Sequence, residues 1–360
     1  MLQREQHRHS GKALRMALLA AAVVIAVPAI VATPKAFAQE TPAGIKALLG
    51  QAKQEGAVVM FTGSTRYTQD KADLLSSVFE KKYGFPMKVT LASLGPHPTI
   101  IQRVSEEFSS GIEPPVDLFP SAPALLERFN KVGAIEPVDW NALGFSKDSI
   151  IPEDHSVILN ILPRTVIYNT KSVSAADAPH SIEDLANPKW KGKIVTTSIP
   201  DVIAYLAPVI GETQTYDLVR TLVQKQNLAL VQSVTDITTK VINGEYAIGF
   251  GAPANITQQK EKGAPVENAP LSKVAGQPFA AVVLKKVKHP AAAKVFAYFA
   301  CCTAEGQKAM YDAIGWASFN TPNTEHFEIG GHGRGIVPSL DWQLQDQIRI
   351  SKQIRVILGL

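Results

Sequence analysis

"AVVMFTGSTRYTQDKADLLSSVFEKKYGFPMKVTLAS", residues 57–93, sets the rhythm from which the fold is read. Its first seven residues are an apolar run that stops at Gly63, the composition of a buried strand. "QDKADLLSSVFEKKYG" then carries apolar positions at helical spacing and ends on Gly84. "MKVTLAS" reads as a second strand, "TIIQRVSEEFSSG" as a second helix and "VDLFPSA" as a third short strand. Strand and helix alternating at this interval predict a parallel sheet built of βαβ units. In open sheets of that kind, ligands sit beyond the carboxyl ends of the strands.

A Pro-rich irregular stretch, "AIEPVDW" to "GFSKDSIIPEDH", separates this block from a second one. The second opens with the strand "RTVIYNT" and continues through "KIVTTS", the helices "DVIAYLAPVIG" and "TYDLVRTLVQKQ", the strand "LALVQS" and the helix "DITTKVING". "NGEYAIGFGAPANITQQ", Asn243 to Gln259, closes it with a strand that breaks at Gly251-Ala252-Pro253 before a helix. "FAAVVLKK" and the amphipathic "HPAAAKVFAYFACC" follow, and the tail "LDWQLQDQIRISKQIRVILGL" has the spacing of a helix packed across the outside. The strand-end rule selects the loops Thr62–Arg66, Ser93–His97, Ser121–Pro123, Thr196–Asp201, Ser233–Asp236 and Gly251–Asn255.

The first residues belong to export. Arg4, Arg8, Lys12 and Arg15 precede the apolar "MALLAAAVVIAVPAIVA", and "AFA" ends at Ala38 with small residues where a leader is cut, so residues 1–38 read as a cleavable signal peptide. Of the 36 basic and 32 acidic residues, five and one lie in that leader, which leaves 31 of each sign. The basic balance belongs to the leader, and the remainder has no charge signature of nucleic-acid or membrane binding. Only two cysteines occur, the neighbours Cys301 and Cys302, at the end of an apolar helix. Two adjacent thiols cannot complete a metal site, and they read as small buried residues in a compartment that permits oxidation.

The ordered set "EGAVVMFTG", "FEKKYG", "VIYNT", "DLANPKWKGKI", "NGEYAIG" and "HPAAAKVFAYF…EGQ" covers most of residues 50–310. It resembles the periplasmic solute-binding proteins of ABC importers, specifically the ferric-iron-type subfamily. The resemblance implies an α/β, two-lobed, periplasmic-binding-protein-like type II fold with crossing hinge strands. It implies lobes made of residues 39–160 plus about 268–310 and of about 161–267 plus 311–360. It also implies a monomer, a small-molecule ligand enclosed between the lobes, and delivery to an inner-membrane permease. Iron-binding members of that subfamily use a His after the first strand, an acid after the third and two adjacent tyrosines after "GE". Those positions fall here on Thr65, near Ala122, and on Ala254 and Asn255. Thr, Ala and Asn do not supply the anionic oxygen or imidazole that ferric ion needs, so no direct metal ligand and no cofactor is expected.

An anion fits better. "TTSIPD" precedes a helix, whose amino end favours phosphate or carboxylate, and Thr197 and Ser198 add hydroxyls there or serve as N-caps. Arg66 and Arg164 can pair with an oxyanion in bidentate fashion, Ser64, Thr65 and Ser121 follow strands, and Ser233, Thr235 and Asn255 lie on crevice loops. Asp201 and Asp236 could hold an amine on the same ligand, although a helix cap or surface solvation is the commoner role for each. "TEHFEIGGHGRG" gathers Glu325, His326, Glu328 and His332, but its spacing matches no zinc motif and its glycines read as a mobile loop. A secreted hydrolase is the rival from another class; no Gly-x-Ser-x-Gly elbow is present. The expectation is therefore a non-enzymatic binding protein for a phosphonate, phosphate ester or carboxylate, with ferric iron or an iron chelate as the alternative.

Overall fold

The computed structural model describes residues 40–63, 67–151, 155–252 and 256–360, and Thr41–Leu360 forms one compact unit. The leader, residues 1–38, lies outside the described residues. The opening stretch folds as its pattern requires. Helix α1 (Ala43–Glu55) leads into strand β1 (Ala57–Phe61), helix α2 (Gln69–Tyr83), strand β2 (Lys88–Ala92), helix α3 (His97–Ser109), strand β3 (Leu118–Ser121) and helix α4 (Pro123–Lys131). β1 pairs in parallel with both β2 and β3, because each βαβ crossover returns the chain in the same direction.

The second block begins earlier than the strand "RTVIYNT". After β4 (Ile150–Ile151), strand β5 runs for 14 residues, Ser156–Asn169. Then come β6 (Ile194–Thr197), α5 (Pro200–Ala204), α6 (Ala207–Ile210), α7 (Glu212–Gln224), β7 (Ala229–Val231), α8 (Val234–Ile242), β8 (Ile248–Ala252) and α9 (Thr257–Glu261). "DVIAYLAPVIG" is two short helices and not one, since Pro208 has no N–H to carry a continuous helix past Tyr205 and Leu206. The chain ends through β9 (Val266–Asn268), β10 (Val274–Val283), α10 (Pro290–Cys302), α11 (Ala304–Ile314), α12 (Glu325–Gly330), β11 (Gly335–Ile336) and α13 (Gln347–Leu358).

The strand order β2-β1-β3-β10-β5-β8-β6-β7 contains one arrangement twice. In each half a parallel trio is closed by an antiparallel strand: β10 beside β3, and β5 beside β8. β5 belongs to both halves. Its residues Val157–Arg164 pair with β10, and Thr165–Asn169 pair with β8 and β9. This is the two-lobed type II arrangement with crossing strands.

Each half is covered on both faces. Val58, Met60, Leu118 and Val283 pack with α1, α2 and α10, while Phe61, Phe119 and Val282 pack with α3 and α4. In the other half Val166, Ile194, Ile248 and Phe250 meet α5, α7 and α13, and Ile167 and Val195 meet α8. Burying such a side chain contributes about 1.5–3 kcal/mol, and four such layers hold the two half-sheets rigid. The terminal helix α13 packs on α5 and α7, as its spacing predicts.

"TEHFEIGGHGRG" is not a solvated loop. Thr324 caps α12 by accepting from the Phe327 N–H at 3.3 Å, and Glu325 and His326 are buried. The turn chemistry of Thr324 outweighs the glycines behind it.

Candidate functional site

Register places the site. β3 ends at Ser121, opposite Ala280, and the amino half of β10 runs on beyond that point. β8 ends beside Thr165, and β5 runs on beyond that point in the opposite sense. The carboxyl ends of both trios therefore face one gap, bridged by Asn160–Arg164 of β5 and Ala275–Phe279 of β10. Gln277 lies opposite Leu162, Ala275 opposite Arg164 and Phe279 opposite Asn160, so these residues share a face. Gln277, Phe279 and Leu162 are half-buried, while Gly276, Pro278 and Ile161 on the reverse face are buried. A Cβ on Gly276 would come within 2.3 Å of Ile161 and 2.6 Å of Phe319, which shows how tightly that reverse face is sealed. Asn160, Ala275 and Arg164 on the first face are buried as well, so the middle of that face, Gln277, Phe279 and Leu162, forms the floor of the gap.

Arg164 is 8 % exposed and stands beside that floor. One terminal nitrogen of its guanidinium donates to Gln277 Oε1, and its plane centre lies 6.0 Å from the Tyr205 ring. Its Nε has no partner, nor does the buried Tyr205 hydroxyl. Burial pushes the Arg164 pKa down to about 10, and burial raises that of Tyr205. Among the described residues no carboxylate forms an ion pair with Arg164. A buried cation with an unpartnered donor and no counter-charge is costly unless an anion completes it.

On the other wall is a residue not singled out from the sequence. His97 begins α3, and its Nδ1 lies 2.9 Å from the Oγ of fully buried Ser121. Its ring packs edge-on against Phe61 at 4.8 Å and Phe279 at 5.5 Å. Burial lowers its pKa to about 4, so the ring is neutral near pH 7. Its Nε2 presses against the end of β1: a Cβ on Gly63, whose φ is +64°, would lie 2.4 Å away. Only glycine admits that approach at that backbone conformation.

Other sequence candidates are engaged elsewhere. Thr197 is buried and its Oγ1 accepts from the Ile199 N–H at 3.1 Å, while the Ser198 N–H donates to Val231 O at 2.8 Å. With Pro200 lacking an N–H and α5 only five residues long, that helix end keeps few free donors. Ser233 and Asp236 form a capping box on α8, each accepting from the other's backbone N–H at 3.2 Å. Asp201 and Thr235 are exposed. Ser64, Thr65, Arg66 and Asn255, with Ala254, lie outside the described residues. Glu325 accepts from Ile256 N–H at 3.2 Å, Thr257 N–H at 3.3 Å, Thr257 Oγ1 at 2.9 Å and Asn268 Nδ2 at 2.9 Å. It thereby ties the start of α9 to α12. Among the described residues no three His, Cys, Asp or Glu gather as a metal site. Cys301 and Cys302 are both free thiols, 3.2 Å apart and half-buried.

Two half-sheets, crossing strands and a gap at the strand ends define a solute-binding architecture. Solved structures share it. Iron-bound HitA from Pseudomonas aeruginosa is 19% identical at a TM-score of 0.60, over 84% of this chain and 99% of that one. A Trichodesmium protein (IdiA, FutA) in complex with iron and citrate is also 19% identical, at 0.63 over 84% and 99%. The Atu4243-GABA receptor is 17% identical, at 0.60 over 84% and 97%. Residues 75–325 match the bacterial extracellular solute-binding proteins, and the chain belongs to that family. It is the solute-binding component of an ABC transporter, in a family of binding proteins. Among the described residues no helix is long and apolar enough to cross a membrane.

Proposed function

We propose that this protein captures an anion-bearing solute between its lobes and hands it to a membrane permease, and that the solute is a ferric chelate of an organic acid. The observation that carries the anion reading is Arg164, a buried guanidinium beside the floor of the gap whose Nε is unpartnered and which has no carboxylate partner among the described residues. A guanidinium fork held in this way suits a carboxylate or other oxyanion. The iron part of the reading is supported by structural neighbours named for iron, one of them with citrate. A chelate is favoured over the bare ion because the positions corresponding to the usual protein ligands are Thr65, Ala122, Ala254 and Asn255. An organic acid brings the missing oxygen ligands with it.

The free anion, a phosphonate, phosphate ester or carboxylate, is the second reading. It is supported by those same neutral side chains and by a neighbour on this fold named for GABA. In both readings the chain is exported by its leader, cleaved after Ala38, and works in the periplasm as a monomer. Residues 39–160 with about 268–310 form one lobe, and about 161–267 with 311–360 form the other.

Thermal-shift and calorimetric titrations with Fe(III)–citrate, citrate alone, Fe(III) with phosphate, and an aminophosphonate separate these readings. The chelate reading expects Fe(III)–citrate to bind at least tenfold tighter than citrate. Equal affinities would favour the free acid. Strong binding of Fe(III) with phosphate, unaffected by Arg164→Met, would remove the anion argument altogether.

A further inference from the structure

The donor on the opposite wall gives the solute a second contact. Ser121 is fully buried, and among the described residues its hydroxyl has one partner, His97 Nδ1. A buried hydroxyl proton without an acceptor costs more than an unused lone pair. The Ser121 hydroxyl therefore donates to Nδ1. In a neutral imidazole that leaves the ring proton on Nε2. Burial keeps the ring neutral, so this tautomer persists across the physiological range. Among the described residues Nε2 has no hydrogen-bond partner, and His97 is only half-buried. It presents an N–H at the rim of the gap, beside Gly63. A donor there selects an oxygen acceptor and cannot ligate a metal without losing its proton.

Between the two donors lies an apolar floor. His97 packs over Phe279, Arg164 bonds to Gln277, and Leu162 stands opposite Gln277. Phe279 and Gln277 are one alternate-residue step apart on β10, roughly 7 Å. A donor near Phe279 and a cation near Gln277, with Leu162 opposite Gln277, fit a small carbon chain with an oxygen acid at each end.

We infer that His97 and Arg164 hold opposite ends of one solute, and that the solute is a di- or tricarboxylate, either free or as its ferric chelate. This rests on the proposed anion reading of Arg164. His97 then sets the choice among acids: it rejects a monocarboxylate, which leaves the imidazole N–H unpaired.

The test measures calorimetric affinities of the full mature chain for butyrate, succinate, glutarate, citrate and Fe(III)–citrate. Wild type is expected to prefer glutarate or citrate over butyrate by tenfold or more. His97→Ala should collapse that preference by lowering the glutarate and citrate affinities far more than the butyrate affinity, which should hold or rise as the unpaired N–H is removed. His97→Gln, whose amide N–H can reach the same place, should restore part of it. Unliganded thermal midpoints show that each variant is folded. Ser121→Ala should also reduce the preference, because the Nδ1–H tautomer becomes available.

Equal losses for butyrate and glutarate in His97→Ala would make the residue merely structural and overturn the inference. So would an intact preference. A loss confined to Fe(III)–citrate, with glutarate and citrate unchanged and no rescue by Gln, would mark His97 as a metal ligand and also overturn it. If Arg164→Met lowers the affinity for every acid while His97→Ala leaves the preference untouched, only this inference fails. If Arg164→Met changes nothing, the proposed function fails with it.

Discussion

His326 shows what burial does to one side chain. It is 1 % exposed, neither ring nitrogen has a partner, and its neighbours are Glu325 and the Tyr311 ring at 6.1 Å. Burial outweighs the attraction of Glu325 and pushes its pKa down to about 4 from the ordinary 6.5. The unfolded chain therefore binds the extra proton between those values. The stability that neutral His326 contributes is complete above about pH 6.5 and is lost as pH falls toward 4, for a total of about 3 kcal/mol. Thermal unfolding from pH 7 to 4 should show a shallower decline for His326→Leu than for wild type. Parallel profiles would assign the acid sensitivity to other groups, His97 among them. Arg164 works in the opposite sense. Arg164→Met removes a buried cation with no counter-charge, so the unliganded thermal midpoint should hold or rise while affinity for carboxylates falls at least tenfold. A stability loss with unchanged affinity would make Arg164 a packing residue.

Elements decide which candidate side chains are available. Ser233 and Asp236 lie on a crevice loop by sequence, yet both are taken up by the capping box of α8. Ser233→Ala should cost about 1 kcal/mol by denaturant unfolding and leave solute affinity as it was. A matching fall in affinity would return Ser233 to the site. The reciprocal case is α12, whose glycine-rich sequence conceals Glu325 as the acceptor for the start of α9. Strand β10 carries the tightest constraint. Gly276→Ala drives a methyl into Ile161 and Phe319 behind the floor, and overpacking there costs roughly 1–3 kcal/mol. A drop in thermal midpoint of the purified variant checks this, and an unchanged midpoint would mean that the reverse face yields.

At the scale of the molecule, binding is a closure problem. A solute shifts the balance between open and closed forms only through its better contacts with the closed one. Under the proposed reading, contacts from both half-sheets, His97 beside β3 and Arg164 at the crossing of β5, would meet that requirement. Saturation at one hundred times Kd should raise stability by about 2.7 kcal/mol, read as a concentration-dependent thermal shift. Small-angle scattering should show a smaller radius of gyration with the bound acid. An unchanged radius beside a clear thermal shift would mean that the lobes are already closed before the solute arrives.

The βαβ rhythm of residues 57–121 is a local pattern, and periodicity and composition suffice to read it. The strand-end rule also picked out Ser121 and the loop to His97, which the sheet brings within hydrogen-bond distance of each other. The place of Arg164 beside the floor, the pairing of His97 with Ser121 across 24 residues, and the sharing of β5 between both halves were not legible. Each depends on which strands become neighbours. Periodicity states which way a side chain points from its own strand; only the assembled sheet states what it points at.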